Sequence, residues 1–163
     1  MRPQSSENSP QLIENFYHLR SDFDRMEVQE ILAYLTLSHR RYQNTVIPQI
    51  EQSFFGLLKL FPNQPSLSVI FNIFLKFQIS LELHMKLEEE TFFKKVLRKK
   101  EVSSQEMNSD HEHSHEEPFL DELISCLKRQ KCASNPFCQI LLSQLRNFDR
   151  ELQEHAWIEE HLI

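Results

Sequence analysis

Residues 70–88 read IFNIFLKFQISLELHMKLE, and residues 141–159 read LLSQLRNFDRELQEHAWIE. In the first stretch Ile70, Phe74, Phe77, Leu81, His84 and Glu88 follow one another in steps of three or four, and Phe92 continues the series. In the second, Leu141, Leu145, Phe148, Leu152, His155, Glu159 and Leu162 do the same. Such steps keep side chains on one face of a helix, so both stretches are predicted to be helices with an apolar stripe turned inward. Each stripe carries the same device, a His followed four residues later by a Glu, which puts both side chains on one face. That face is the apolar one. An unpaired carboxylate in an apolar seam costs several kcal/mol. Two inward Glu beside two inward His therefore need a neutralising partner, and a metal ion supplies one directly.

The rest of the chain extends this pattern. Glycine occurs once, at Gly56, among 163 residues. Strand-like alternation is hard to find, so the expected class is all-α. Residues 1–26 read as a polar tail followed by a short strap that docks through Leu12, Ile13 and Phe16. Residues 27–163 read as one domain. Its first helix runs from about Glu27 to about Leu60 with the stripe Val28, Leu32, Leu35, His39, Tyr42, Val46, Ile50, Phe54 and Leu57. Pro48 is expected to kink or split it. The second helix follows the turn at Phe61–Pro65, with Ser66 as its expected N-cap, and runs to about Lys100. A third lies within 110–131 with the stripe Leu120, Leu123, Ile124 and Leu127. A fourth starts at Ser134-Asn135-Pro136, an N-cap followed by proline, and runs to about His161. Long helices with short connections predict an up-down-up-down four-helix bundle.

A formal charge of −6 argues against a nucleic-acid partner, which calls for a basic patch. The longest apolar runs are broken by Lys, Glu or Asn, short of the roughly 18 residues of a membrane span. The polar N-terminus shows no signal peptide. A cytoplasmic protein with no membrane partner is the expectation. Cys126, Cys132 and Cys138 have no CxxC spacing and read as reduced packing thiols.

Register connects the histidines. In an up-down bundle, residues equally far from a shared turn lie at one height. From a turn at about residue 63, His39 is 24 residues back and His84 is 21 forward; from one at about 133, His113 is 20 back and His155 is 22 forward. These mismatches of two or three residues amount to roughly 3–5 Å at 1.5 Å per residue. One His from each helix thus converges on one level. Glu89, Glu90, Glu160 and His161 read as solvated or rim groups, and Tyr42 as an aromatic neighbour of the site. On the third helix the tract Asp110–Pro118 holds His111, His113 and His115. Extrapolating the apolar stripe backwards favours His113 over His115. A helix beginning at Glu117, as Pro118 suggests, removes the basis of that choice. Four His and two Glu are too many ligands for a tetrahedral structural zinc. They fit two six-coordinate ions, each with two His, bridged by both Glu and a solvent-derived oxygen. Imidazole with carboxylate suits iron or manganese. The ferritin-like code of paired Glu-x-x-His motifs does not fit.

Over about residues 27–163 the chain resembles the hemerythrin-like di-iron proteins, and most closely their repair-of-iron-centres branch. The resemblance rests on Leu37-Ser38-His39-Arg40-Arg41-Tyr42, on His84-x-x-x-Glu88-Glu89-x-x-Phe92-Phe93, on the His113-Ser114 region, and on Leu152-x-x-His155-x-x-Ile158-Glu159-x-x-Leu162-Ile163. The oxygen-carrying hemerythrins differ, with a His-x-x-x-His motif and a terminal Asp ligand. Two departures from the repair branch are its Cys-pair domain, not seen in these residues, and Phe93-Lys94 where the family has Phe-Pro. The resemblance implies His39, His84, Glu88, His113, His155 and Glu159 as ligands of two iron ions bridged by an oxo or hydroxo group. It implies a role in iron–sulfur cluster repair under nitric oxide and oxidative stress, by reducing nitric oxide or donating iron, with damaged iron–sulfur proteins as partners. The alternative is a sensor or reversible binder of dioxygen, nitric oxide or iron without turnover.

Overall fold

The computed structural model describes residues 20–101 and 117–163. Among them there is helix and no strand. Helix α1 spans Val28–Arg41 and α2 Ile47–Leu60; α3 spans Pro65–Leu87 and α4 Phe93–Glu101; α5 spans Glu117–Lys128 and α6 Pro136–Leu162. Between α1 and α2 lies a π-helical turn, Tyr42–Val46, and between α3 and α4 a second, Glu88–Phe92. The backbone stays in the right-handed helical region at both junctions, so α1–α2 and α3–α4 are two long rods rather than four separate helices.

Pro48 explains the first π turn. Lacking an N–H, it cannot donate to the carbonyl four residues back, and the expected kink becomes a local widening just before it. The Ile47 N–H reaches the carbonyl of Tyr42, five residues back. Each π turn inserts one residue into the helical phase. The buried face therefore moves from the expected Val46 to Ile47, and from the expected Phe92 to Phe93.

Two caps differ in their match to expectation. Asn135 caps α6 by accepting a hydrogen bond from the Phe137 N–H at 2.9 Å. Ser66 does not cap α3: Pro65 already occupies the first turn after Gln64, and the Ser66 hydroxyl donates to the Gln130 side chain instead. The described part of α5 is Glu117–Lys128. His111, His113 and His115 lie outside the described residues, as do Leu12, Ile13 and Phe16.

Helix α6 packs on α5, α2 and α1; α3 packs on α2 and α5; α1 packs on α4. The apolar core falls into two clusters. The larger holds Ile50, Phe54, Phe74, Phe77, Leu123, Leu145 and Phe148. The smaller holds Phe23, Ile31, Leu32, Leu35, Phe93 and Ile158. Between them, on three rods, stand the buried polar residues His39, Glu88, His155 and Glu159. Along α1–α2 the order is Leu35, His39, Tyr42, and along α3–α4 it is Met85, Glu88, Phe93, so each chain segment crosses the polar layer once.

The rod Pro65–Lys99 is long and apolar enough to cross a membrane by length and composition, with a mean hydropathy of 1.4 over its best window, more than its broken runs suggested. A third of that window is buried inside the protein.

Candidate metal centre

The polar layer is built by helical geometry. The i,i+4 spacing stacks Glu88 on His84 and Glu159 on His155, and α1 brings His39 between them. His84 Nε2 lies 2.7 Å from Glu88 Oε1, and His155 Nε2 lies 2.8 Å from Glu159 Oε1. His39 Nε2 stands 2.9 Å from His155 Nε2 and 3.5 Å from Glu88 Oε2. Donor atoms of His39, Glu88, His155 and Glu159 all lie within 4.8 Å of one another. His84 joins through Glu88 and is 31% exposed, which sets it at the edge of the group.

This donor set fits a cation. Both oxygens of Glu88 and Oε1 of Glu159 are buried with no hydrogen-bond partner, as is His155 Nδ1. Two imidazole nitrogens at 2.9 Å cannot both present lone pairs without a proton or a cation between them. Two donors each about 2.1 Å from one ion, at a right angle, stand about 3.0 Å apart. The observed separations match such an edge.

The electrostatics agree. Burial alone raises the Glu88 carboxyl, but the imidazoles of His39 and His84 outweigh it and hold the group below the usual carboxylate range. Glu159 is pushed up to about 9, first by burial and then by the charge of Glu88. His155 is pushed down to about 3 by burial, with His39 adding to it. Without an ion, the two carboxylates share one proton at neutral pH, with Glu159 the member pushed up and Glu88 the member held down, and His155 is neutral. A cation replaces that proton and takes neutral imidazole as it stands. A buried His and Glu group able to hold a metal ion is thus present.

No family model, curated protein or solved structure matches the chain.

Glu89, expected at the solvated rim, has a larger part. Its Oε1 lies 2.8 Å from His39 Nδ1, so it accepts the Nδ1–H and leaves Nε2 free to face the site. A carboxylate behind a metal-ligating His fixes the ring and its tautomer. In this run of three Glu at the start of the π turn, Glu88 is buried, Glu89 sits beside His39 of α1, and Glu90 is exposed. Glu160 and His161 are exposed, as expected.

Tyr42 is buried, as expected of an aromatic neighbour. Its ring meets Phe148 and His155 edge-on, at 5.3 and 5.9 Å between centroids. Its hydroxyl donates to the Glu151 carbonyl at 3.3 Å, and burial and Glu151 hold it above its ordinary pKa. Arg41 pairs with the Glu151 carboxylate. Above these groups a cavity of about 420 Å³, bordered by Tyr34, Leu37, Arg41, Glu154 and His155, leads from the surface to the His155 edge of the site. Glu154 was not singled out by its spacing. Burial, opposed by Arg150 and helped by Glu151, holds its carboxyl above the usual range.

Proposed function

We propose that the chain is a hemerythrin-like protein, an up-down-up-down bundle around two iron ions, that acts under nitric oxide and oxidative stress to restore damaged iron–sulfur clusters. The bundle reading is supported by the packing order, in which each rod meets its chain neighbours and α6 returns to α1 and α2. The observation that carries the two-ion reading is the two-sided placement of Glu88. Its Oε1 lies beside His84 and its Oε2 beside His39, so one carboxylate reaches toward two donor groups. His39, His155 and Glu159 would serve one ion and His84 the other. The family resemblance assigns His113 to complete the second set. Imidazole with carboxylate suits iron or manganese.

Ferrous iron held there would supply electrons and an open position for nitric oxide or dioxygen. The chain's own groups do the rest. Glu89 keeps the His39 ring in place, and Glu159 gives up its proton when the site fills. Tyr42 and Phe93 close the site against the two apolar clusters, Phe93 lying parallel to the His39 ring at 5.8 Å. The cavity would admit a small ligand at the His155 edge, with Glu154 on its border.

The test is nitric oxide consumption by the iron-loaded protein under anaerobic, reducing conditions, beside reactivation of a [4Fe–4S] enzyme inactivated by nitric oxide. Consumption or reactivation that disappears in Glu88→Ala is expected. A loaded protein that binds nitric oxide but neither consumes it nor restores the enzyme contradicts the repair role.

A further inference from the structure

The part of the polar layer made by His39, His155 and Glu159 is sealed, with these residues 1, 8 and 5% exposed. His84, at 31%, reaches solvent. An ion bound in the sealed part has to pass through the protein, and two cavities approach it.

One cavity, of about 410 Å³, lies between α1 and α4. Leu32, Ala33, Phe93 and Leu97 wall it, and Lys94 places an ammonium on its border. Its carboxylate, Glu89, is already engaged with His39 Nδ1. Phe93 lies parallel to the His39 ring at 5.8 Å. A cation arriving there meets a like charge and apolar walls, and ends behind a ring.

The other, of about 420 Å³, lies between α1 and α6 and ends on His155 itself. Glu151 and Glu154 border it against a single guanidinium, that of Arg41, and Ser38 adds a hydroxyl. The balance of charge is negative, and a cleft of one sign concentrates the opposite ion. Six waters at about 30 Å³ each give a hydrated divalent ion about 180 Å³, so it fits. A second observation, apart from the carboxylates, points the same way. His155 borders this cavity, yet its Nδ1 is buried with no hydrogen-bond partner. A ligating His ordinarily has an acceptor behind it, as His39 has Glu89. The ring without such an anchor is the one at the end of the acidic cavity, where an ion is handed over.

Arg41 shows that the mouth takes a cation. Its guanidinium pairs with the Glu151 carboxylate and lies 5.4 Å from the centre of the Tyr42 ring. Its side chain is 49% exposed, so it can swing out into water at little cost.

We propose that the cavity between α1 and α6 is the path by which ferrous ion enters and leaves the sealed part of the site, with Glu151 and Glu154 conveying the ion and Arg41 holding its place until it arrives. The inference rests on the metal reading and adds the edge at which iron exchanges.

The experiment follows ferrous ion alone with the full chain under anaerobic conditions. It records stopped-flow uptake by the metal-free protein, release to a coloured chelator, and iron content at saturation. Glu154→Gln is expected to slow uptake and release together, by about tenfold at low ionic strength, with the difference shrinking in salt. Arg41→Gln is expected to quicken both, because it removes the competing cation and frees Glu151. Lys94→Gln, in the other cavity, is expected to leave both rates as they are. All three variants are expected to fill to native iron content. Helicity and thermal unfolding check each fold, and Glu151→Gln replaces Glu154→Gln should that variant fail them. Native rates in folded Glu154→Gln and Arg41→Gln at full iron content overturn the path and leave the metal centre standing. An effect of Lys94→Gln equal to that of Arg41→Gln overturns it too, because uptake then follows surface charge alone. Lower saturating content in Glu154→Gln makes that carboxylate a ligand rather than a carrier, and overturns the proposal as stated. A native chain that takes up no ferrous ion removes the metal centre and the path with it.

Discussion

Glu159→Gln should make the ion-free protein more stable and the ion-binding protein useless. In the fold without metal the Glu159 carboxyl stays protonated up to about pH 9, against an ordinary value of 4.5. The folded state therefore binds more protons than the unfolded state between those values, and stability falls as pH rises through that window. At 1.36 kcal/mol per pH unit, the loss at pH 7 is 1.36 × (7 − 4.5), or about 3 kcal/mol; at pH 8 it is about 5, and at pH 5 under about 1. Glutamine keeps the shape and removes the titration. The stability difference between Glu159→Gln and the native chain should thus grow by about 4 kcal/mol from pH 5 to pH 8. His155, with its pKa lowered to about 3, withdraws stability as pH falls below its ordinary 6.5, but in both proteins alike, so it cancels. The assay is urea unfolding in excess chelator at about pH 5, 6, 7 and 8. Ferrous ion should then reverse the ranking, stabilising the native chain and not the variant. A pH-independent difference, or a variant less stable than the native chain at pH 8 in chelator, refutes the reasoning about the buried carboxylate pair.

Glu89→Gln weakens acceptance of the His39 Nδ1–H and should lower metal affinity about tenfold or more while saturating iron still fills the site, whereas Glu90→Gln should change nothing measurable in the same titration. Glu88→Ala should empty the site as purified, with Glu160→Ala retaining native metal content by elemental analysis. Phe93→Ala should cost about 3–5 kcal/mol in urea unfolding, and Phe92→Ala under half as much, because the π turn puts Phe93 in the core and leaves Phe92 at its edge.

The helical class and the two His-x-x-x-Glu pairs were readable because a spacing of four fixes a shared face whatever the surrounding register. The stripes on α5 and α6 were readable for the same reason, as regular helices with no insertion; Leu120, Leu123, Ile124 and Leu127 are all buried. What periodicity could not carry was a one-residue slip. At Tyr42–Val46 the signal was Pro48, read as a kink rather than as a widened turn. At Glu88–Phe92 the signal was weaker: the Thr91 hydroxyl donates to the Leu87 carbonyl, a local competition with the helix ladder that no hydrophobic pattern reveals. Glu154 was invisible for another reason: it owes its place to the cavity between α1 and α6, which appears only when the helices are packed. The third-helix histidine cannot be checked in the same way, because the tract that holds it lies outside the described residues.

The central claim, that the layer of His and Glu between the two apolar clusters holds iron, is tested most directly by elemental analysis of anaerobically purified protein, followed by an absorption spectrum in air. About two irons per chain with a near-ultraviolet charge-transfer band is the expected result. A normally folded, metal-free protein that takes up no ferrous ion would contradict it, leaving His39, Glu88, His155 and Glu159 as a buried polar layer sharing protons alone.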